Sequence, residues 1–144
     1  MPCPCPANTP SIFLFSMSSS IHSLADLTAA VRAFAEQRDW DQFHTPKNLA
    51  MALIVEAAEL VEHFQWLSQQ ESGAISGEQQ EAVAMEMADV LFYLVRMAER
   101  LGIDLLDAAE KKIRLNALKY PAEQAKGKAD KYTRYQRDQR EESP

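Results

Sequence analysis

Two segments of this 144-residue chain constrain its fold more than any other feature, because both are apolar around half or more of a helical circumference and both carry acids in pairs. At 100° per residue, the stretch opened by Thr45-Pro46 places Leu49, Leu53, Ile54, Ala57, Leu60, Val61, Phe64 and Leu67 nearly all round, with Met51 and Val55 elsewhere on the circle. The stretch from Ser76 to Gly102 spreads Val83, Met87, Val90, Leu91, Leu94, Val95, Met97 and Leu101 over about half its circumference. A surface helix needs only one apolar stripe. These two are therefore central, and a chain of this length covers them fully only by associating with copies of itself. A homo-oligomer, a dimer or larger, is expected.

The rest of the pattern agrees with an all-α, four-helix bundle-like protomer. Between residues 23 and 120 the hydrophobic period is helical throughout, and no run alternates for long at period two. Ser23 caps a first helix bearing Leu24, Leu27, Val31 and Phe34 on one stripe and ending near Arg38. Thr45, with Pro46 at the first helical position, opens the second, which is expected to run to about Ser68. Ser76 with Gln79 reads as a capping box for the third, which ends at Gly102. Asp104 caps the fourth, from Leu105 to Tyr120, and residues 69–77 form the one long internal loop.

Composition narrows the partners. Lys+Arg 15 against Asp+Glu 21 gives a net charge of -6, which argues against a general nucleic-acid binder because such a protein needs a basic face to displace counterions. Cys3 and Cys5 are too close for an ordinary disulfide, and no second pair completes a zinc site. The apolar patch at 12–15 is too short for a membrane span and lacks the basic flank of a signal peptide. Met17, followed by three serines, reads as an alternative start. The expected organisation is a disordered extension over 1–20, one helical domain over 21–121 and a charged tail over 122–144, in a cytoplasmic protein without a membrane partner.

On the two central helices stand Glu56-Ala-Ala-Glu59 and Glu86-Met-Ala-Asp89, each a pair of carboxylates three residues apart on one helix face. Partly buried and unpaired, such charges cost several kcal/mol. No Lys or Arg lies between Leu49 and Gln70 to offset them, only His63. A divalent cation is the remaining candidate, and all-oxygen ligation favours a hard ion such as Mg²⁺ or Mn²⁺. By the same count Glu56, Glu59, His63 and Trp66 fall within about 80° of one another, and Glu86, Asp89 and Tyr93 also align. Acids flanked by aromatics suit an anion joined to a flat ring, and Trp66 and Tyr93 could stack a base. A di-iron centre is the rival metal site in a four-helix bundle, but it needs Glu-x-x-His pairs and none of the three histidines has a glutamate three residues before it.

With these residues in view the sequence resembles the all-α nucleoside triphosphate pyrophosphohydrolases, the MazG-like superfamily, and within it the dCTP pyrophosphatase branch. The superfamily pattern is ExxE followed by ExxD, matched here by Glu56/Glu59 and Glu86/Asp89 with residues 60–85 between. The branch-level likeness lies in Phe34-Ala35-Glu36-Gln37-Arg38-Asp39-Trp40-Asp41-Gln42-Phe43-His44, Pro46-Lys47-Asn48-Leu49, Phe64-Gln65-Trp66, Asp89-Val90-Leu91 with Tyr93-Leu94, and Asn116 with Tyr120-Pro121. It spans roughly residues 24–135. The resemblance implies a Mg²⁺-dependent dimer of dimers that hydrolyses the α–β phosphoanhydride of a deoxynucleoside triphosphate. It implies Glu56, Glu59, Glu86 and Asp89 as metal ligands, with Glu59 or Glu86 as general base. Trp40, Asp41, Gln42, Phe43, His44, Trp66 and Tyr93 would line the nucleotide pocket, and Asn116, with Lys112 nearby, would reach it from the fourth helix. Val31 stands where relatives from higher organisms are expected to carry histidine, so base preference stays open between dCTP or a modified dCTP, dUTP and a broad range. A non-catalytic helical interaction module is the alternative of another class.

Overall fold

Three of the four long helices among the described residues begin where a side chain takes up amides that a helix start leaves unpaired. In the computed structural model, which describes residues 20–128, Ser23 accepts from the amide of Asp26 at 3.1 Å and opens α1, Leu24–Glu36. A 3-10 turn, Trp40–Gln42, follows. Thr45 accepts from the Asn48 amide at 3.2 Å and opens α2, Pro46–Glu62, with the proline in the first turn. A single turn, α3, covers Gln69–Ser72, and the longest helix, α4, covers Gly77–Leu101. Asp104 accepts from the amides of Leu106 and Asp107 to open α5, Leu105–Lys119, and one last turn, α6, covers Ala122–Ala125. Every regular element among the described residues is helical. No helix there is long and apolar enough to cross a membrane.

Two boundaries and one cap differ from the sequence expectation, each for a local reason. The second long helix stops at Glu62 rather than near Ser68. Ser68 is extended (φ -69°, ψ 166°) as the cap of α3, and a helix cannot run through it. The chain tightens into turns before that point, with the amides of Phe64 and Gln65 both donating to the Val61 carbonyl. The capping box belongs to Ser68 and Glu71, while Ser76 makes no side-chain cap at α4, so Ser76/Gln79 was the wrong pair. At the first helix, α1 ends at Glu36, and Asp39 adopts a left-handed φ of 54° that swings the chain into the Trp40 turn. Gly102, at φ 64°, ends α4 as expected.

The most extensive packing is between α2 and α4, with α1 laid on α4 beside them. His44 meets Arg96, Glu56 meets Asp89, and His63 meets Glu86, so α2 climbs as α4 descends. The buried apolar side chains are few: Val31 and Ala35 from α1, Leu49 from α2, and Val83, Val95 and Ala98 from α4. Much of the apolar surface stays outside this core. Met51, Ile54 and Val55 on α2 are exposed, and on α5 Ile113 and Leu118 are 69% and 77% exposed. Cys3, Cys5, the 12–15 patch, Met17 and the tail beyond residue 128 lie outside the described residues.

Candidate active site

The antiparallel pairing of α2 and α4 brings three acids of the two motifs together. Glu56, Glu86 and Asp89 each offer a carboxylate oxygen, and these oxygens lie within 4.8 Å of one another. Glu56 shows what that proximity costs. Burial first, then the charges of Glu59, Asp89 and Glu86, hold its carboxyl above the usual carboxylate range. Tyr93, one turn beyond Asp89, is pushed upward by burial and then by the charges of Glu56 and Asp89. His63 Nε2 stands 4.0 Å from Glu86. The chain has no Lys or Arg between Lys47 and Arg96, so neither helix supplies a strong cation beside the trio. Three converging carboxylates without a cation fit a hard divalent ion by their chemistry.

Glu59 is not one of the trio. It lies on the exposed side of α2, one turn past Glu56, and acts on Glu56 through its charge. Trp66 leaves the expected stripe as well, because α2 has ended before it. The 100° count fails there, and the indole sits 87% exposed in the turn. Asn116 and Lys112 are exposed on α5.

The 40–44 segment forms a wall of rings joined to a buried arginine. Trp40 packs edge-on against Phe34 at 5.8 Å and against His44 at 5.9 Å, and Phe34 meets Phe92 at 5.7 Å. The Arg38 guanidinium covers the Phe34 ring at 3.6 Å. Of these residues Phe34, Arg38 and Phe92, together with Val31 among others, line a cleft of about 420 Å³ between α1 and α4. Phe43 and Gln42 face outward. Of the loop residues expected to line the pocket, His44 is buried, at 8% exposed.

Arg96 is the residue that sequence reasoning missed. It is 1% exposed, and its guanidinium binds Asp41 and Glu99 while Nε donates to His44 Nδ1 at 3.2 Å. Glu99 also takes Arg32 Nε from α1 at 2.9 Å. Asp41 and His44, three residues apart, both turn to this one arginine. A signal was present: Arg96 is the first strong base after Lys47 and interrupts the apolar run over 90–98.

With the geometry established, known proteins give it a place. The sequence model of the MazG-like family matches residues 51–134, a span that contains both acidic motifs. Over 121 residues the chain is 42% identical to dCTP pyrophosphatase 1 of Bos taurus, covering 83% of this chain and 71% of that protein. Over 126 residues it is 40% identical to the Homo sapiens protein of the same name, covering 86% and 72%. The solved structure of a pyrophosphatase from Archaeoglobus fulgidus superposes with a TM-score of 0.66 at 36% identity, over 72% of this chain and 96% of that one. Helix order, acidic pairs and these likenesses agree, and the chain belongs to the MazG-like family.

Proposed function

We propose that this protein is a divalent-metal-dependent pyrophosphohydrolase of deoxynucleoside triphosphates, acting on dCTP or a modified dCTP to release the monophosphate and pyrophosphate. The observation that carries the reading is the trio of carboxylate oxygens within 4.8 Å, contributed by two helices without a strong cation beside them. The names of the relatives supply the reaction and the base. Glu56, Glu86 and Asp89 would hold Mg²⁺, with Glu59 one turn away to complete the set on binding. A bound divalent ion supplies charge neutralisation for the triphosphate and a more acidic water. The chain does the rest. Tyr93 walls the acids on one side, Trp40 and Phe34 offer ring faces to a base, and Glu59 or Glu86 takes the proton from the attacking water. Val31 and Phe34 make one side of the cleft apolar, which leaves base discrimination to the rings and to Arg38 and Gln37 at its edge.

The assembly belongs to the same reading. The exposed apolar residues of α2 and α5 are covered in a homodimer or dimer of dimers, and light scattering in solution would show more than one chain per particle. The test of the reaction is pyrophosphate release from each deoxynucleoside triphosphate with Mg²⁺. Release from dCTP, abolished by chelation, is expected. Release only from dUTP would move the substrate, and no release from any nucleotide while Mg²⁺ binds would favour the non-catalytic helical module.

A further inference from the structure

We propose that Arg96 is a positioning residue that seats the Trp40 indole beside the nucleotide site, by clamping Asp41 and His44 to α4. This rests on the reading of Trp40 as a wall of the nucleotide pocket. Arg96 lies seven residues beyond Asp89, so the two share a face of α4 and stand roughly 10 Å apart along its axis. The helix that carries two of the acids therefore also fixes the segment that carries Trp40. The clamp grips that segment at two points just after the indole: Asp41 follows Trp40 directly, and His44 packs on the indole at 5.9 Å. The amides of Phe43 and His44 both donate to the Trp40 carbonyl, at 2.9 and 3.0 Å, so the turn moves as a unit with its anchors.

The side-chain chemistry requires arginine. Three partners, Asp41, Glu99 and His44, lie in three directions around one planar guanidinium, and a lysine ammonium cannot reach them together from a single stem. A buried cation persists only where partners satisfy it, and here two carboxylates and an imidazole do so. Arg32 anchors the far side by binding Glu99, which ties the clamp to α1 and hence to Phe34, the other ring against Trp40. Nδ1 of His44 accepts the Arg96 proton, so the clamp is complete only with a neutral imidazole. The charged groups acting on His44 are Arg96, Asp41 and Arg100, with burial the strongest influence. Burial, Arg96 and Arg100 hold its proton affinity below the usual imidazole range, and Asp41 opposes them.

The experiment compares Arg96→Lys, Asp41→Asn and Trp40→Ala, singly and with Trp40→Ala combined with each of the others, in dCTP hydrolysis by the full chain. Arg96→Lys and Asp41→Asn are chosen because both keep the site polar, and circular dichroism would verify that each variant is folded under the assay conditions. Arg96→Lys should raise KM about tenfold with kcat nearly unchanged, as a displaced positioning group does. Added to Trp40→Ala it should raise KM no further, because both act through one ring. In a Trp66→Phe background, where Trp40 is the sole indole, Arg96→Lys should increase acrylamide quenching of its fluorescence. If Trp40→Ala leaves KM unaltered, the nucleotide reading of Trp40 fails and the clamp has nothing to position. If Trp40→Ala raises KM but Arg96→Lys and Asp41→Asn do not, or if their effects multiply, the clamp is overturned while the pocket stands.

Discussion

At Glu86 and Asp89, α4 presents carboxylates that meet a third carboxylate from α2, whereas two turns further along the same helix Arg96 meets two carboxylates and an imidazole. The first cluster is a surplus of like charge that raises the Glu56 carboxyl above its ordinary range. The second is a cation enclosed by its partners and almost removed from solvent. A charge cluster that the protein leaves unbalanced is prepared for something that arrives, and one that is balanced internally is part of the frame. The two should therefore respond oppositely to substitution. Removing charge from the trio should spare the fold and end the reaction. Removing charge from the clamp should cost stability first.

The largest expected effect is on turnover. Asp89→Asn should lower kcat by at least about 10²-fold with helix content unaltered, measured as pyrophosphate release. Glu59→Gln should also abolish turnover, although Glu59 stands outside the trio, and near-normal activity would confine the ligand set to three acids. Next in size is Arg96→Met, which strands Asp41 and leaves Glu99 with Arg32 alone. It should destabilise by about 3 kcal/mol, the low end for breaking a buried pair because Asp41 keeps solvent contact, as urea denaturation would show. Trp66→Ala is smaller. The exposed indole contributes nothing to the core, so its loss should spare stability and weaken nucleotide binding by roughly 1–3 kcal/mol, the range for stacked bases; an unchanged KM would remove Trp66 from the site.

The smallest effects separate the clusters by pH. His44 is held below its ordinary value, so unfolding takes up a proton wherever the unfolded imidazole is charged and the native one is not. Its contribution is complete above about pH 6.5 and is lost as pH falls from there to the depressed native value. Glu56 is held above its ordinary value, so without metal its contribution is present below the unfolded carboxyl value and is lost as pH rises through the raised one. Melting temperatures of metal-free protein should show both slopes, with His44→Asn flattening the first and Glu56→Gln the second.

Much of this was legible in the sequence because it is local. Ser23, Thr45-Pro46, Asp104 and Gly102 sit within a turn of the helix ends they set, and the ExxE and ExxD spacings need only helical geometry to align their acids. What escaped was either a competition or a long-range contact. Ser68/Glu71 and Ser76/Gln79 both fit a capping box, and the pair with the ionised partner formed it. The turns that follow Glu62 moved Trp66 off the acidic stripe, an outcome that helical counting alone does not give. The clamp joins residues 52 and 55 positions apart, and only the packing of the Trp40 turn on α4 unites them.

The central claim is that the unbalanced trio is a cation site, and Mn²⁺ titration of the metal-free protein followed by electron paramagnetic resonance tests it most directly. The free-ion signal should be depleted by the wild type with at least one ion held per chain, and Asp89→Asn should abolish that depletion while Arg96→Lys retains it. Equal depletion by wild type and Asp89→Asn, or none by either, would contradict it.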